Sequence, residues 1–438
     1  MKFYLVGGAC RDLLMGNAPK DYDFVVVGAT PTHFKDWQQV GKDFPVFLHP
    51  TYGWEVALAR VERKTGVGYG GFSSEWNGVT LEEDLSRRDL TINSIAIEVD
   101  WEATQFYGEP ITVGTWIDPY DGIKDIKQCT LRHTTDAFKE DPLRVLRVAR
   151  FLARFGKEWK INFNTQKIME EVYLSGELLT LTKERVWLET EKALSETTPS
   201  LYFETLKPFD CIFSYQLEME STVKISEHHP EANVWEHCKM VMDVAATLFK
   251  DPEIVWAGFC HDLAKYSCMR ERGNMYGHEE AGSPIVEDLC EKWKVPNRYK
   301  HLALITTEFH GKVHNALGRN TNKGMKPKSI MKLFENTGAL KNPERFLKML
   351  KACEADTKGR GVDEHEVYEY TKEYFLNKPY PQRQYLEECL ESVLSYNSGE
   401  LSKKMLSEGK SGIIIGDTIR SEKIKCIREV SDKWKSKN

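Results

Sequence analysis

The stretch VGGACRDLLMGNAPKDYDFVV, Val6 to Val26, sets the tightest limit on how this chain can fold. Asp21 and Asp23 stand at the mouth of the apolar run Phe24 to Val27, which reads as a buried strand. Burying an unpaired carboxylate is costly, so acids placed there need a partner. Residues i and i+2 of a strand share a face with Cα atoms about 7 Å apart. Two such carboxylates converge on a hard cation, and Mg²⁺ typically takes one or two protein carboxylates plus phosphate oxygens. Taken alone, the pair reads more readily as a capping turn acid beside a solvated one. The preceding residues shift the balance. Leu5-Val6-Gly7-Gly8 ends a strand and Ala9 opens a helix, so backbone N–H groups face the same region. Gly8 lets a phosphate approach closely, and Arg11, one turn in, adds a charge-assisted contact. A phosphate cradle beside a carboxylate pair predicts a Mg-triphosphate site.

The 438 residues exceed what one core usually covers, so two to four domains are expected. Hydrophobic residues make up 41% and charged residues 29%, with no apolar run long enough to span a bilayer. The first residues lead straight into a strand without a signal peptide, and the ten cysteines include no CxxC pair. Both features predict a cytoplasmic protein with reduced thiols, no membrane partner and no thiolate zinc site. A net charge of −6 means that nucleic acid would have to be met by a local basic patch.

Residues 1 to about 130 read as strands and turns, with Leu90 to Val99 as a strand and the glycines around Gly66 to Phe72 as a mobile loop. From Asp136 the pattern is helical, through DPLRVLRVARFLARF, TKERVWLETEKALSE, VWEHCKMVMDVAATLF and SIMKLFENTG. Breaks fall near Thr198-Pro199 and His229-Pro230, and SDKWKSKN reads as a solvated tail. The segment Trp101 to Trp116 has no assigned role.

Two further constellations carry chemistry. In EEDLSRRDLTINSIA, Arg88 could grip a triphosphate, Asp89 or Asn93 a ribose hydroxyl, and Asp84 could be a third metal carboxylate. A surface loop with an internal Arg–Asp pair is the plainer reading. In EDPLRVLRVARFLARF, arginines fall at 144, 147, 150 and 154. At 100° per residue, about 60° separates Asp141 from Arg144, which makes one acceptor–donor edge, while the later arginines drift round the helix. A salt-bridged amphipathic helix is the usual meaning of such spacing. The sharper meaning is a protein template. Cytosine and adenine both carry an exocyclic amine beside a bare ring nitrogen, so a carboxylate acceptor and a guanidinium donor match them. Uracil and guanine invert the pattern and would leave buried polar groups unpaired.

With GGACRD and DYD, RRDLTIN, DPYDGIKDI, EDPLRVLRVARF and LTKERVWLE in this order, the chain resembles the bacterial multifunctional CCA-adding enzymes. These are class II tRNA nucleotidyltransferases of the polymerase β superfamily. The likeness is close over the first 200 residues and looser beyond. It implies Asp21 and Asp23 as Mg²⁺ ligands and Gly8 and Arg11 at the nucleotide. It also implies Arg88, Asp141, Arg144, Arg147 and Arg150 around incoming CTP or ATP, and tRNA as the partner. The helical reading supports Asp141 and Arg144 best and Arg150 least.

Downstream, His261-Asp262 is the centre of the HD phosphohydrolase pattern, and His237 and Asp356 fit its flanking ligands. His278 and His310 are possible extra ligands. Imidazole with carboxylate suits Ni²⁺, Mn, Co or Fe better than Mg²⁺. A scatter of core and surface histidines is the bland alternative. The fold expected is an α/β nucleotidyltransferase domain, a small mixed sheet with helices on one side, over residues 1–135. A helical neck with base recognition (136–225), an HD domain (226–335) and a helical tail contacting tRNA (336–438) follow, all α. Three activities fit: CCA addition with an appended phosphohydrolase, an A-adding or poly(A) polymerase, or an HD phosphohydrolase with a degenerate transferase half. Monomer and homodimer both remain open.

Overall fold

The computed structural model describes residues 1–40, 46–64, 72–209, 216–221, 230–319, 322–364 and 366–437. The glycine-rich stretch centred on Gly66 lies almost wholly outside the described residues, as does His229 of the second break. The chain forms two compact units. One is Met1–Thr190 with a short stretch from Pro208; the other is Glu191–Lys207 with the remainder.

The first unit is built on a seven-stranded mixed sheet. In spatial order its strands are Gln38–Val40, Val46–Leu48, Glu55–Leu58, Asp23–Val27, Lys2–Val6, Ala96–Val99 and Thr112–Ile117. Only the pair Asp23–Val27 and Glu55–Leu58 is parallel. Alternation along the central strand sorts the core. Phe3 and Leu5 join one buried cluster, Tyr4 and Val6 another on the opposite face. The first face is covered by Ala9 and Cys10 of helix Gly8–Leu14, by Trp101, and by Ile123 and Ile126 of helix Gly122–Lys127. The second is covered by Leu81 and Leu85 of helix Leu81–Ser86, so helices lie on both faces and not on one.

Two other local expectations change. Within Leu90 to Val99 only Ala96–Val99 is strand; Thr91–Asn93 is a 3₁₀ turn, held by Ser94 N–H donating to Thr91 O at 2.9 Å. The segment Trp101 to Trp116 supplies helix Trp101–Tyr107 and most of the edge strand, and Trp101 stacks on Phe3 with ring centroids 4.1 Å apart.

Among its described residues the second unit is helical from Ser200–Leu206 to Gly412–Lys437, apart from a two-residue strand pair, Gly318–Arg319 with Asn322–Lys323. Helices Val234–Phe249, Pro252–Cys260, Asn297–His314 and Pro343–Lys358 pack on one another around Trp235, Trp256 and Phe259, all fully buried. SDKWKSKN is not a solvated tail. Its residues Ser431 to Lys437 end a 26-residue helix in which Ser431 and Trp434 bond to Tyr385 and Glu388, each at 2.7 Å.

Candidate active sites

In the first unit, strand register assembles the site. Val6 lies opposite both Asp23 and Ala96, so the glycine turn after strand Lys2–Val6, the acids at strand Asp23–Val27 and the turn before strand Ala96–Val99 share one end. Gly7 holds φ 69°, a left-handed conformation that favours glycine, and a Cβ there would meet Arg88 Nη1 at 2.9 Å. Gly8 then begins the helix.

A cavity of about 550 Å³ opens there. Its lining includes Gly7, Gly8, Asp23, Asp89, Asn93 and Asp141, with seven arginines at 11, 60, 87, 88, 144, 147 and 185. Arginines outnumber carboxylates in the wall, which suits a polyanionic ligand. Asp23 sits in this lining and Asp21 in the bend just before the strand, both with exposed surface. Burial raises the Asp23 carboxyl above its ordinary value; Arg88 opposes this and Asp21 adds to it. Glu55, across the parallel pair from Asp23, is also raised, by burial and then by Asp23 and Asp21. Three carboxylates thus repel one another at one sheet end, an arrangement that a divalent cation relieves. The donor set fits such an ion.

Around the acids, most polar groups hold the cradle rigid. Arg11 is buried, donates to Asp12 at 2.8 Å and to Asn93 at 2.6 Å, and stacks over Phe151. Asp84 is wholly buried and accepts from Arg87 at 2.8 Å and from Arg88 at 3.2 Å. It is therefore an anchor for two arginines, and not a third metal ligand. Asp89 accepts from Leu90 N–H, Asn93 and Arg147, the last at 2.7 Å. Burial alone would raise the Asp89 carboxyl, but Arg147 and Asn93 outweigh it and hold it well below the usual carboxylate range. Both Asp89 and Asn93 are thus taken up by protein partners in place of the ribose expected from sequence.

The helix reading of Asp141 and Arg144 also changes. The helix runs Leu143–Phe155, and Asp141 precedes it in an extended conformation, so 100° per residue does not apply to it. Its carboxylate accepts from Leu143 N–H at 3.0 Å and from Arg185 at 3.1 Å through both oxygens. Arg144 donates instead to the carbonyls of Ala137 and Arg87, at 2.7 and 2.6 Å. Arg150 lies outside the lining, bonded to Glu189 and stacked over Phe151 at 4.6 Å. Arg185 and Glu189 both belong to LTKERVWLE, whose i, i+4 Arg–Glu spacing was the available signal. Glu55 carried none.

In the second unit, His237, His261, Asp262 and Asp356 come together, each nearly fully buried, and His278 and His310 join them. His237 Nε2 lies 3.1 Å from Asp356 Oδ1, and His261 Nε2 lies 3.1 Å from Asp262 Oδ2. Burial pulls His261 down, but Asp262 and Asp356 raise it above its ordinary value overall. The buried His261 Nε2 and both Asp262 oxygens make no hydrogen bond of good geometry among the described residues, although Lys265 Nζ stands 2.6 Å from Oδ2. Such concentration of buried, under-satisfied nitrogen and carboxylate oxygen atoms fits a divalent transition metal. Beyond the four, His314 Nε2 meets Asp356 Oδ2 at 2.6 Å and its Nδ1 lies 2.8 Å from the Tyr380 hydroxyl. The sequence reading missed this pair.

Comparison with known proteins agrees with both halves. The Poly A polymerase head domain model matches residues 3–132 and the HD domain model residues 234–356. A Multifunctional CCA protein of Pasteurella multocida (strain Pm70) is 39% identical over 442 residues, covering 98% of this chain and 97% of that one. The Bacillus stearothermophilus CCA-adding enzyme in complex with CTP shares the fold at TM-score 0.61 and 20% identity, covering 98% of this chain and 89% of that one. A CCA-adding enzyme with ATP does so at TM-score 0.59 and 20% identity, covering 97% and 86%. No described helix is long and apolar enough to cross a membrane. The chain belongs to the multifunctional CCA protein family, as a tRNA nucleotidyltransferase with an HD domain in the same polypeptide.

Proposed function

We propose that this chain adds C, C and A to the 3′ end of tRNA from CTP and ATP without a nucleic-acid template. The tRNA 3′-hydroxyl attacks the α-phosphorus, and pyrophosphate leaves. The observation that carries this reading is the arginine-lined cavity with the glycine turn and Asp23 at one end and Asp141 in its wall. Mg²⁺ held by Asp21 and Asp23 would supply Lewis acidity at the attacking and leaving oxygens. The glycine turn and Arg88 bind the triphosphate; Arg88 Nε is buried with no hydrogen-bond partner among the described residues, and Nη1 faces Gly7. Arg11 and Arg147 hold the floor rigid through Asp12, Asn93 and Asp89. Asp141, in extended backbone just before helix Leu143–Phe155, accepts from the exocyclic amine, and Arg144, in the first turn of that helix, donates to the ring nitrogen. The neck, HD and tail boundaries at 135, 225 and 335 remain part of this proposal, as does tRNA gripped by basic patches of the helical half.

The test is direct. Purified chain is incubated with tRNA ending before its CCA and with each nucleotide singly and together. Stepwise addition of two C and one A supports the reading. Addition of A alone or in runs points to the A-adding alternative, and no addition overturns it.

Because Arg185 fixes the Asp141 carboxylate, Arg185→Ala should relax the choice of nucleotide more than it slows CTP addition. Discrimination against UTP and GTP, measured as the ratio of kcat/KM values, should fall about tenfold to a hundredfold, the ~1–3 kcal/mol of one mispositioned polar contact. An unchanged ratio would take Arg185 out of base selection.

For the second unit, the proposal is a metal-dependent phosphohydrolase acting on 2′,3′-cyclic phosphates, 2′-nucleotides and simple phosphomonoesters. His237, His261, Asp262 and Asp356 would hold Ni²⁺ or another late divalent ion that polarises the phosphoryl oxygen and activates water. Lys265, beside Asp262 and facing a cavity of about 370 Å³, is placed to balance charge on the entering phosphate.

A further inference from the structure

One buried carboxylate joins helix Gly8–Leu14, which opens on the glycine turn, to helix Leu143–Phe155, whose first turn carries Arg144. Asp12 is 7% exposed and accepts from two guanidinium groups. Arg11 Nε and Nη2 reach it at 3.0 and 2.8 Å, and both bonds land on Oδ1. Arg154, in the last turn of the longer helix, places Nη2 3.1 Å from Oδ2 and 3.2 Å from Oδ1.

Arg11 and Asp12 would not adopt this geometry alone. The strong arginine–carboxylate arrangement is a fork, two parallel N–H···O bonds to two oxygens. Here Arg11 gives both donors to one oxygen and spends Nη1 on Asn93 Oδ1 at 2.6 Å. Its Nη2 lies beneath the glycine turn, 3.4 Å from where a Cβ on Gly8 would stand. The rings under Arg11 do not fix that angle. Its guanidinium lies over Phe151 and Phe155, 5.3 and 5.7 Å from their centroids, and a flat cation turns on an aromatic face at little cost. Hydrogen bonds therefore set the angle, and Oδ2, the oxygen that a fork would need, is the one that Arg154 meets. Neutralisation is not the reason for Arg154, since Arg11 and Asp12 already balance one for one. Nor does Arg154 reach the base: it is outside the cavity lining, and ten residues at 1.5 Å rise put it ~15 Å along the helix from Arg144.

We propose that Arg154 is a positioning residue for the triphosphate: by occupying Asp12 Oδ2 it denies Arg11 the fork and keeps the Arg11 guanidinium beneath the glycine turn, where an incoming triphosphate is met. The proposal rests on the nucleotide-addition reading given above and extends it to a residue outside the cavity wall. Without Arg154, Arg11 and Asp12 relax toward a fork, Nη1 leaves Asn93, and Nη2 swings away from the turn.

The test is the split between triphosphate and base. Arg154→Ala and Arg154→Lys are made in the full chain, with thermal melting as the control for folding, and CMP and AMP incorporation are measured on tRNA lacking CCA. Arg154→Ala should raise KM for CTP and ATP about tenfold, the worth of one charge-assisted contact, with kcat changed less than about twofold. Inorganic triphosphate, which carries no base, should inhibit the variant about tenfold less well. Discrimination against UTP and GTP should not change, in contrast to Arg185→Ala. Arg154→Lys, whose ammonium can still sit on Oδ2, should recover most of the affinity. In an Arg11→Lys background, where no fork can form, Arg154→Ala should add no further loss. Arg154→Met, which keeps the stem beside Phe155, gives the same reading should the alanine variant fold poorly. A fall in base discrimination along with affinity would mean a general loosening of the helix and would overturn the proposal. Unchanged KM values, or the full loss repeated in the Arg11→Lys background, would overturn it too while leaving nucleotide addition standing. A parent chain that adds no nucleotide would overturn both.

Discussion

Asp23→Asn should lower nucleotide addition about a thousandfold or more while leaving the protein folded. The substitution preserves shape and removes only charge. Asp23 lies in the cavity lining, its carboxyl raised by burial and by the negative field of Asp21, so the ionised pair is held together at a cost that a bound cation relieves. Removing one charge removes that cation's seat, and losing a catalytic metal costs on the order of 4 kcal/mol in the transition state. Asp21→Asn should behave alike although it sits outside the lining. The measurement is single-turnover incorporation of labelled CMP into tRNA lacking CCA, with circular dichroism as the control for folding. Residual addition above about 1% of the parent rate would take the two carboxylates out of the chemistry. A raised carboxylate pKa means that protons compete with the metal at a higher pH than at a solvated aspartate, so addition should begin to fail earlier as pH drops.

What could be read from sequence was what is local. Gly7, Gly8, Asp21 and Asp23 belong to consecutive elements of one strand–helix–strand run, so residue order alone brought them together. His261 and Asp262 were legible for the same reason. Partners reached across the chain were not. Asp84 offers a carboxylate near the right motif, and nothing in the sequence says that Arg87 and Arg88 take it. Asp141 was placed on a helix that begins only at Leu143, because Pro142 starts the first turn and the residue before a proline is driven to extended backbone. Its true partner, Arg185, is 44 residues away, at the start of another helix. The C-terminal error has a different cause. Lysines and serines in SDKWKSKN masked the spacing Ile427, Val430, Trp434, an i, i+3, i+7 stripe on a helix that packs against helix Pro381–Leu394, where Trp434 bonds to Glu388.

His261→Ala combined with Asp262→Ala should abolish phosphohydrolysis and leave CCA addition close to the parent rate. The two sites belong to separate compact units of the chain. Their chemistry differs as well: the transferase acids offer oxygen alone, which suits Mg²⁺, whereas the second cluster offers four imidazoles with two aspartates and favours later divalent ions. Asp262 is the residue whose loss should matter most, since its two oxygens face both imidazole pairs. In the double variant His237 keeps only Asp356, and that carboxylate already spends Oδ2 on His314 and meets Arg360 at 3.0 Å through Oδ1. A remaining ion would be weakly held, and hydrolysis of a 2′,3′-cyclic nucleotide with Ni²⁺ or Mn²⁺ should fall at least a thousandfold, on the order of the loss expected when a metal-activated water is removed. If the parent chain hydrolyses neither cyclic nucleotides nor phosphomonoesters with any divalent metal, the cluster is structural. If the folded double variant loses addition as well, the second unit takes part in presenting tRNA to the first, because no residue of the histidine cluster lines the nucleotide cavity.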